Sequence, residues 1–322
     1  MKSSWHINRL EAATDLPGRP LHLAIGMFDG VHLGHRAVIE AAVSSARRSR
    51  GLAGVLTFSP HPSSLFRPED PVRLLQTPGL KTRQLVTLGV DLVITQAFDA
   101  AFASITAADF VPHLRHHLPG LVALYVGENW RFGRGRRGDI QFLNTAGAAA
   151  GLAVFSAARI NHTGEPISST RIRGLLAGGE LETVNALLGY AHVSEGVVTA
   201  GRQLGRALGF PTLNLPWNDA LVAPRLGVYA VRVGEPDGER FPAVANFGLR
   251  PTVEIAALAP RLEVHVLGDG TGARAAAEWG PDAALQVEWL KFLREEQRFH
   301  GVEALRAQVE IDRAQTRDFF LR

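Results

Sequence analysis

The chain changes its hydrophobic period near residue 190, and that change limits what it can fold into. From 20 to 190, short apolar runs alternate with stretches whose apolar residues recur every three or four positions. The runs read as strands over 21–25, 53–58 (AGVLTF), 91–95 (DLVIT), 121–126 (LVALYV) and 152–155, and the helical spacing covers 34–49, 79–88, 107–118 and 140–150. Alternation of this kind predicts a parallel sheet covered by helices, with ligands beyond the carboxyl ends of the strands. After Gly189 the runs become short and alternating, over 193–199, 227–233, 241–246, 261–267 and 284–290, separated by Gly/Pro-rich connectors. That pattern predicts a small antiparallel barrel or sandwich. Helical spacing returns over 300–321, through Val302, Leu305, Val309 and Asp312. A length of 322 residues suits about two domains, and the expected division is 1–188 and 189–322.

Composition removes several function classes. There is no cysteine, so disulfides, thiolate metal sites and a cysteine nucleophile are excluded. The net charge is only +3 and the lysines are Lys2, Lys81 and Lys291. Scattered arginine without a long basic run argues against nucleic acid and suits phosphate-bearing small molecules. Nowhere do about 18 apolar residues run together, and the first residues carry no cleavable apolar leader. A cytoplasmic protein with no membrane partner is expected; the sequence leaves its oligomeric state open.

The stretch 23–39, LAIGMFDGVHLGHRAVI, carries the first chemistry. A strand ends at Gly26, a turn follows with Asp29, Gly30 and Gly34, and a helix starts where His32 and His35 sit three apart. Strand, glycine-rich turn and helix together aim backbone N–H groups and a helix dipole at an anion. Three apart on a first turn, both imidazoles can point at the same place. Taken alone, such a pair is as readily a surface pair or a helix cap. SSTR at 168–171 taken alone marks a helix N-cap, and His61 between prolines reads equally as a loop residue.

GMFDGVHLGH closely resembles the first signature of the bacterial bifunctional riboflavin kinase/FAD synthetase family, whose N-terminal half is a nucleotidylyltransferase with a His-x-Gly-His motif. TFSPHP at 57–62 is similar to that family's second motif, with Ser59 where an acidic residue is usual. VGENWRFGRGRRGD at 126–139 and ISSTRIR at 167–173 follow in order. The resemblance implies a Rossmann-like α/β nucleotidylyltransferase domain that adenylates FMN. It implies ATP-phosphate contacts from Gly26, Phe28, Asp29, Gly34, Ser168, Ser169, Thr170 and Arg173, catalysis by His32 and His35, and a flavin side at His61 and Asn129. Adenylyl transfer is mostly positioning and charge stabilisation, which imidazoles, hydroxyls and a guanidinium can supply.

The second region carries its own resemblance. GRQLGRALGFPTLNL at 201–215 is similar to the phosphate-binding segment of riboflavin kinases, and GVYAVRV, ANFGLRPT (245–252) and LEVHVL (262–267) continue it. Gly201, Gly205 and Gly209 do not match the Walker A pattern, and no lysine is near. Backbone N–H groups, Mg²⁺ and Arg202 or Arg206 would meet the phosphate charge instead. By resemblance Thr212 and Asn214 bind Mg-ATP and the metal, and Glu263 takes the proton from the riboflavin 5′-hydroxyl. As a bare pattern, Glu263 is an outward strand residue alternating with Leu262 and Val264. The family's Asp-Phe pair after this strand is missing from VLGDGTGARAAAEWGPD, and Trp279-Gly280 stands roughly where Tyr-Gly is usual.

The expectation is an enzyme that makes FMN from riboflavin and ATP, then FAD from FMN and ATP with release of pyrophosphate. Another nucleotidylyltransferase, for instance one acting on pantetheine phosphate, would leave 193–322 without a purpose. A flavin-binding or regulatory protein with a weak kinase half is the other alternative, suggested by the altered 267–282 loop.

Overall fold

A computed structural model describes residues 4–14, 16–200, 209–249, 260–268 and 276–321. The chain divides into two compact units, 1–74 with 78–169, and 75–77 with 170–322.

The first unit is built on six parallel strands, β1 (Trp5–Ile7), β2 (Leu21–Ile25), β3 (Leu52–Ser59), β4 (Leu92–Ala97), β5 (Leu121–Gly127) and β6 (Ala153–Ala157), in the order β1-β4-β3-β2-β5-β6. The helices are α1 (Leu33–Arg48), α2 (Pro62–Phe66), α3 (Pro78–Thr87), α4 (Ala100–Ala103), α5 (Ala107–His117) and α6 (Ile140–Ala149), and a short antiparallel pair, β7 (Asn161–His162) with β8 (Glu165–Pro166), follows β6. Both faces of the sheet are covered, so alternate residues of β2 are buried on opposite sides. Leu21, Leu23 and Ile25 pack with Phe110, Val111 and Leu114 of α5, while Ala24 packs with Val38, Ile39 and Ala42 of α1. Burial on two faces explains why these strands read as continuous apolar runs. Connections leave β2 toward β3 on one side and reach β5 on the other. The strand order therefore reverses beside β2, the position where α/β sheets leave a crevice for ligands.

The second unit contains α7 (Ser169–Gly178, joined from Thr170 onward), α8 (Leu181–Leu188) and one curled antiparallel sheet. Its strands are β9 (His192–Val197), β10 (Leu213–Pro216), β11 (Gly227–Gly234), β12 (Phe241–Leu249), β13 (Pro260–Val266) and β14 (Ala284–Arg294), in the order β10-β13-β12-β11-β14-β9. The sheet is curled into a half-barrel, and an isolated bridge links Thr199, just past β9, to Asn214 of β10. Tyr229, Phe247, Val264 and Trp289 are fully buried inside it. The C-terminal helix α9 (Val302–Leu321) is pinned by Asp312. Arg294 grips that carboxylate with two hydrogen bonds, of 2.8 and 2.7 Å.

Candidate active sites

In the first unit, the turn after β2 is held in a strained shape. Phe28 (φ 49°) and Val31 (φ 35°) are in the left-handed region along with Gly30 (φ 82°). For a bulky or β-branched residue such a φ is an outlier that costs about 1–3 kcal/mol and persists only where the surroundings enforce it. The enforcement is visible. Phe28 and Val31 are each 2% exposed, and three side chains bind the backbone of the turn. Thr57 donates to the Met27 carbonyl at 3.0 Å, Lys81 to the same carbonyl at 3.1 Å, and Ser169 to the Asp29 carbonyl at 2.9 Å. Gly26 is required by the ring that folds back on it, since a Cβ there would lie 2.9 Å from Phe28.

His32 is the N-cap of α1. Its Nδ1 accepts from the His35 backbone N–H at 3.2 Å, and the two rings stack with centroids 3.5 Å apart. An Nδ1 that accepts leaves Nε2 as the proton-bearing donor in a neutral imidazole. Phe28 meets the His35 ring edge-on at 5.4 Å. Gly34 has a role that the motif did not reveal. A Cβ there would sit 3.2 Å from Cε1 and Nδ1 of His32, so Gly34 makes room for the ring.

Lys81 was not foreseen. It is 6% exposed on α3 and also donates to Thr57 Oγ1 at 2.8 Å. Burial pushes its pKa down to about 8, opposed by the nearby Asp29 carboxylate. The available signal was its spacing, four residues before the buried Leu85, which puts it on the inward face of the helix.

The remaining first-unit candidates lie on other turns. His61 caps α2, its Nδ1 accepting from Ser63 N–H at 3.1 Å. Asn129 follows β5 beside the ion pair of Arg159 with Glu128, at 3.5 Å. Arg134, Arg136 and Arg137 are exposed, as a solvated loop would be. Ser168 immediately precedes α7, on which Thr170 and Arg173 lie.

In the second unit, the register places Asn214 opposite Glu263 and Glu263 opposite Asn246, a polar row across β10, β13 and β12. Directly opposed residues share a sheet face, so the row is on the face away from Leu262 and Val264. Asn214 is 6% exposed, and its Oδ1 is buried with no hydrogen-bond partner among the described residues. With Thr212 and His265 it lines a cavity of about 580 Å³. His265 Nδ1 lies 2.9 Å from the Pro211 carbonyl, which can only accept. Burial lowers the His265 pKa, with the Pro211 bond opposing. Gly209 is in the left-handed region at φ 85° and also lines this cavity. Gly201 and Gly205, like 269–275 of the 267–282 loop, lie outside the described residues.

Comparison with known proteins decides what these two units are. A family model described as FAD synthetase matches residues 17–171, and one described as riboflavin kinase matches 188–320. The bifunctional riboflavin kinase/FMN adenylyltransferase of Escherichia coli K12 is 38% identical over 298 residues, 92% of each chain. Its counterpart in Bacillus subtilis is 32% identical over 303 residues, again 92% of each. The chain belongs to the bifunctional riboflavin kinase/FMN adenylyltransferase family. A solved Streptococcus pneumoniae chain described as a macrolide-efflux protein is also similar, with a TM-score of 0.84 at 26% identity, covering 97% of this chain and 98% of that one. Among the described residues no helix is long and apolar enough to cross a membrane.

As a member of this family the chain is a bifunctional transferase acting on riboflavin, FMN and ATP. Its FAD synthetase half contains the strained turn with His32 and His35, and its riboflavin kinase half contains the Asn214–Glu263–Asn246 row. The rival in which 193–322 has no purpose is thereby removed.

Proposed function

We propose that each half works through the residues named above. In the adenylyltransferase half, the FMN phosphate attacks the α-phosphorus of ATP, the α–β bridging bond breaks, and pyrophosphate leaves. His32 presents Nε2–H to the phosphate oxygens, because its Nδ1 is occupied by the His35 amide. The amino end of α1 adds dipole charge at the same place. His35, stacked on His32, lines the same approach, and Gly26, Phe28, Asp29 and Gly34 shape the turn that receives ATP. Ser168, Ser169, Thr170 and Arg173 are assigned to the β- and γ-phosphates, and His61 and Asn129 to the flavin side.

In the kinase half, Glu263 accepts the proton of the riboflavin 5′-hydroxyl as its oxygen attacks the γ-phosphorus and ADP departs. Thr212 and Asn214 hold Mg²⁺ and, with the 201–209 glycines, the ATP phosphates. The observation that carries this half is the buried Oδ1 of Asn214, without a hydrogen-bond partner among the described residues and in register with Glu263. A hard cation takes oxygen ligands of this kind, and when bound it neutralises phosphate charge. The functional division is placed at 1–188 and 189–322, and the working compartment is the cytoplasm.

The test is the Glu263→Gln variant, assayed separately with riboflavin and with FMN. Riboflavin phosphorylation should fall by on the order of 10²-fold or more, with FMN adenylylation retained. Equal loss of both would refute the separation.

A further inference from the structure

A second cluster of chemistry-bearing side chains lies in the first unit, away from the strained turn. Glu11, His113 and His117 place one ligand atom each within 4.8 Å of one another. His113 and His117 are four apart on α5, so their rings are neighbours and meet edge-to-face with centroids 4.8 Å apart. Glu11 comes from the 3-10 turn Leu10–Ala12, which is firmly seated. Leu10 is 1% exposed, and its N–H donates to Gln96 Oε1 at 2.8 Å. The Nε2 of His113 is buried and has no hydrogen-bond partner among the described residues, a cost that a ligand would remove. Glu11 and His117 line a cavity of about 310 Å³ that reaches Leu21 and Leu52, the first residues of β2 and β3. The cavity is thus at the amino ends of the strands, opposite the end that carries the His32 turn.

We infer that Glu11, His113 and His117 form a site for a divalent transition ion of the zinc type, distinct from both reaction sites. Two imidazoles and one carboxylate are a donor set for such ions, with the fourth position left for water from the cavity. Tetrahedral bonds of about 2.0–2.1 Å would bring the ligand atoms to about 3.4 Å from one another. Closing from 4.8 Å takes rotation of Glu11, which is exposed, and of His117, which is half-buried. The carboxyl end of α5, where His117 is the last residue, adds favourable dipole charge for a cation. Binding would clamp the Leu10–Ala12 turn to α5.

The full chain, stripped with chelator and dialysed, is titrated with Zn²⁺ alone by calorimetry. One ion per chain should bind, with a rise in the thermal midpoint, and Co²⁺ in its place should give the visible absorption of a tetrahedral N/O site. His113→Ala, and independently the milder His117→Gln and Glu11→Gln, should each weaken binding by at least about tenfold. His116→Ala should not, and FAD formation without added zinc should be unchanged in all of them. No stoichiometric binding, or binding that survives all three ligand substitutions in chains with wild-type circular dichroism, overturns the site.

Discussion

Lys81 Nζ donates to Thr57 Oγ1 at 2.8 Å, and both side chains converge on the Met27 carbonyl beneath the His32 turn. A buried ammonium is thus used to fix backbone at a strained turn, where a displacement of about 1 Å can cost about 10²-fold in rate. Lys81→Met keeps the volume and removes the charge and the bonds. FAD formation from FMN should fall at least about tenfold with riboflavin phosphorylation unchanged, as product chromatography from each substrate would show. Unaltered FAD formation would mean that the turn holds its shape without the lysine.

Gly34 allows stability and activity to be separated. Alanine is about 1 kcal/mol better than glycine within a helix, so Gly34→Ala should not lower the thermal midpoint. Its Cβ would nevertheless lie 3.2 Å from two atoms of the His32 ring, and the displaced imidazole should slow adenylyl transfer by about tenfold or more. A variant as active as the parent would show that the ring position is not critical.

These two residues also show where the sequence was legible. The α1 face was readable because Val38, Ile39, Ala42, Val43 and Ala46 follow helical spacing, and all five are buried. β1 was not, because three residues at a sheet edge carry too little pattern. β10 is hidden for the same reason, and α8 lies in a stretch to which the sequence reading assigns no element. HLGH singles out the imidazole pair as a candidate, but the contacts of Gly34 and Lys81 with that turn form only in three dimensions, one of them 54 residues from its partner. His61 was read as a direct participant or a loop residue. The structure adds a third role, helix cap.

Asp312 should dominate the attachment of α9. It is 2% exposed, bonded twice to Arg294, and also accepts from Gln308 at 3.0 Å. Removing one partner of such a pair leaves a charge uncompensated, so Asp312→Ala should cost about 3–5 kcal/mol in denaturant unfolding of the riboflavin kinase half. A loss below about 1 kcal/mol, the level of an exposed pair, would contradict this.

His192 gives the kinase half an acid sensitivity. Burial pushes its pKa down from the ordinary 6.5 to about 4, so the unfolded chain takes up the proton first as pH falls. The associated stability is complete above pH 6.5 and is lost as pH drops toward about 4, amounting to about 3 kcal/mol. Thermal midpoints between pH 7 and 4 should fall less steeply in His192→Asn than in the parent. Equal slopes would assign the acid sensitivity elsewhere.

The central claim is that two separate sites make FMN and FAD in sequence, one depending on Glu263 and the other on His32. The most direct measurement mixes two inactive partners. Glu263→Gln alone should leave riboflavin unconverted, and His32→Ala alone should accumulate FMN. Combined with riboflavin, ATP and Mg²⁺, the two should restore FAD, because FMN released by one chain is adenylated by the other. FAD from either variant alone, or none from the mixture, would contradict the account.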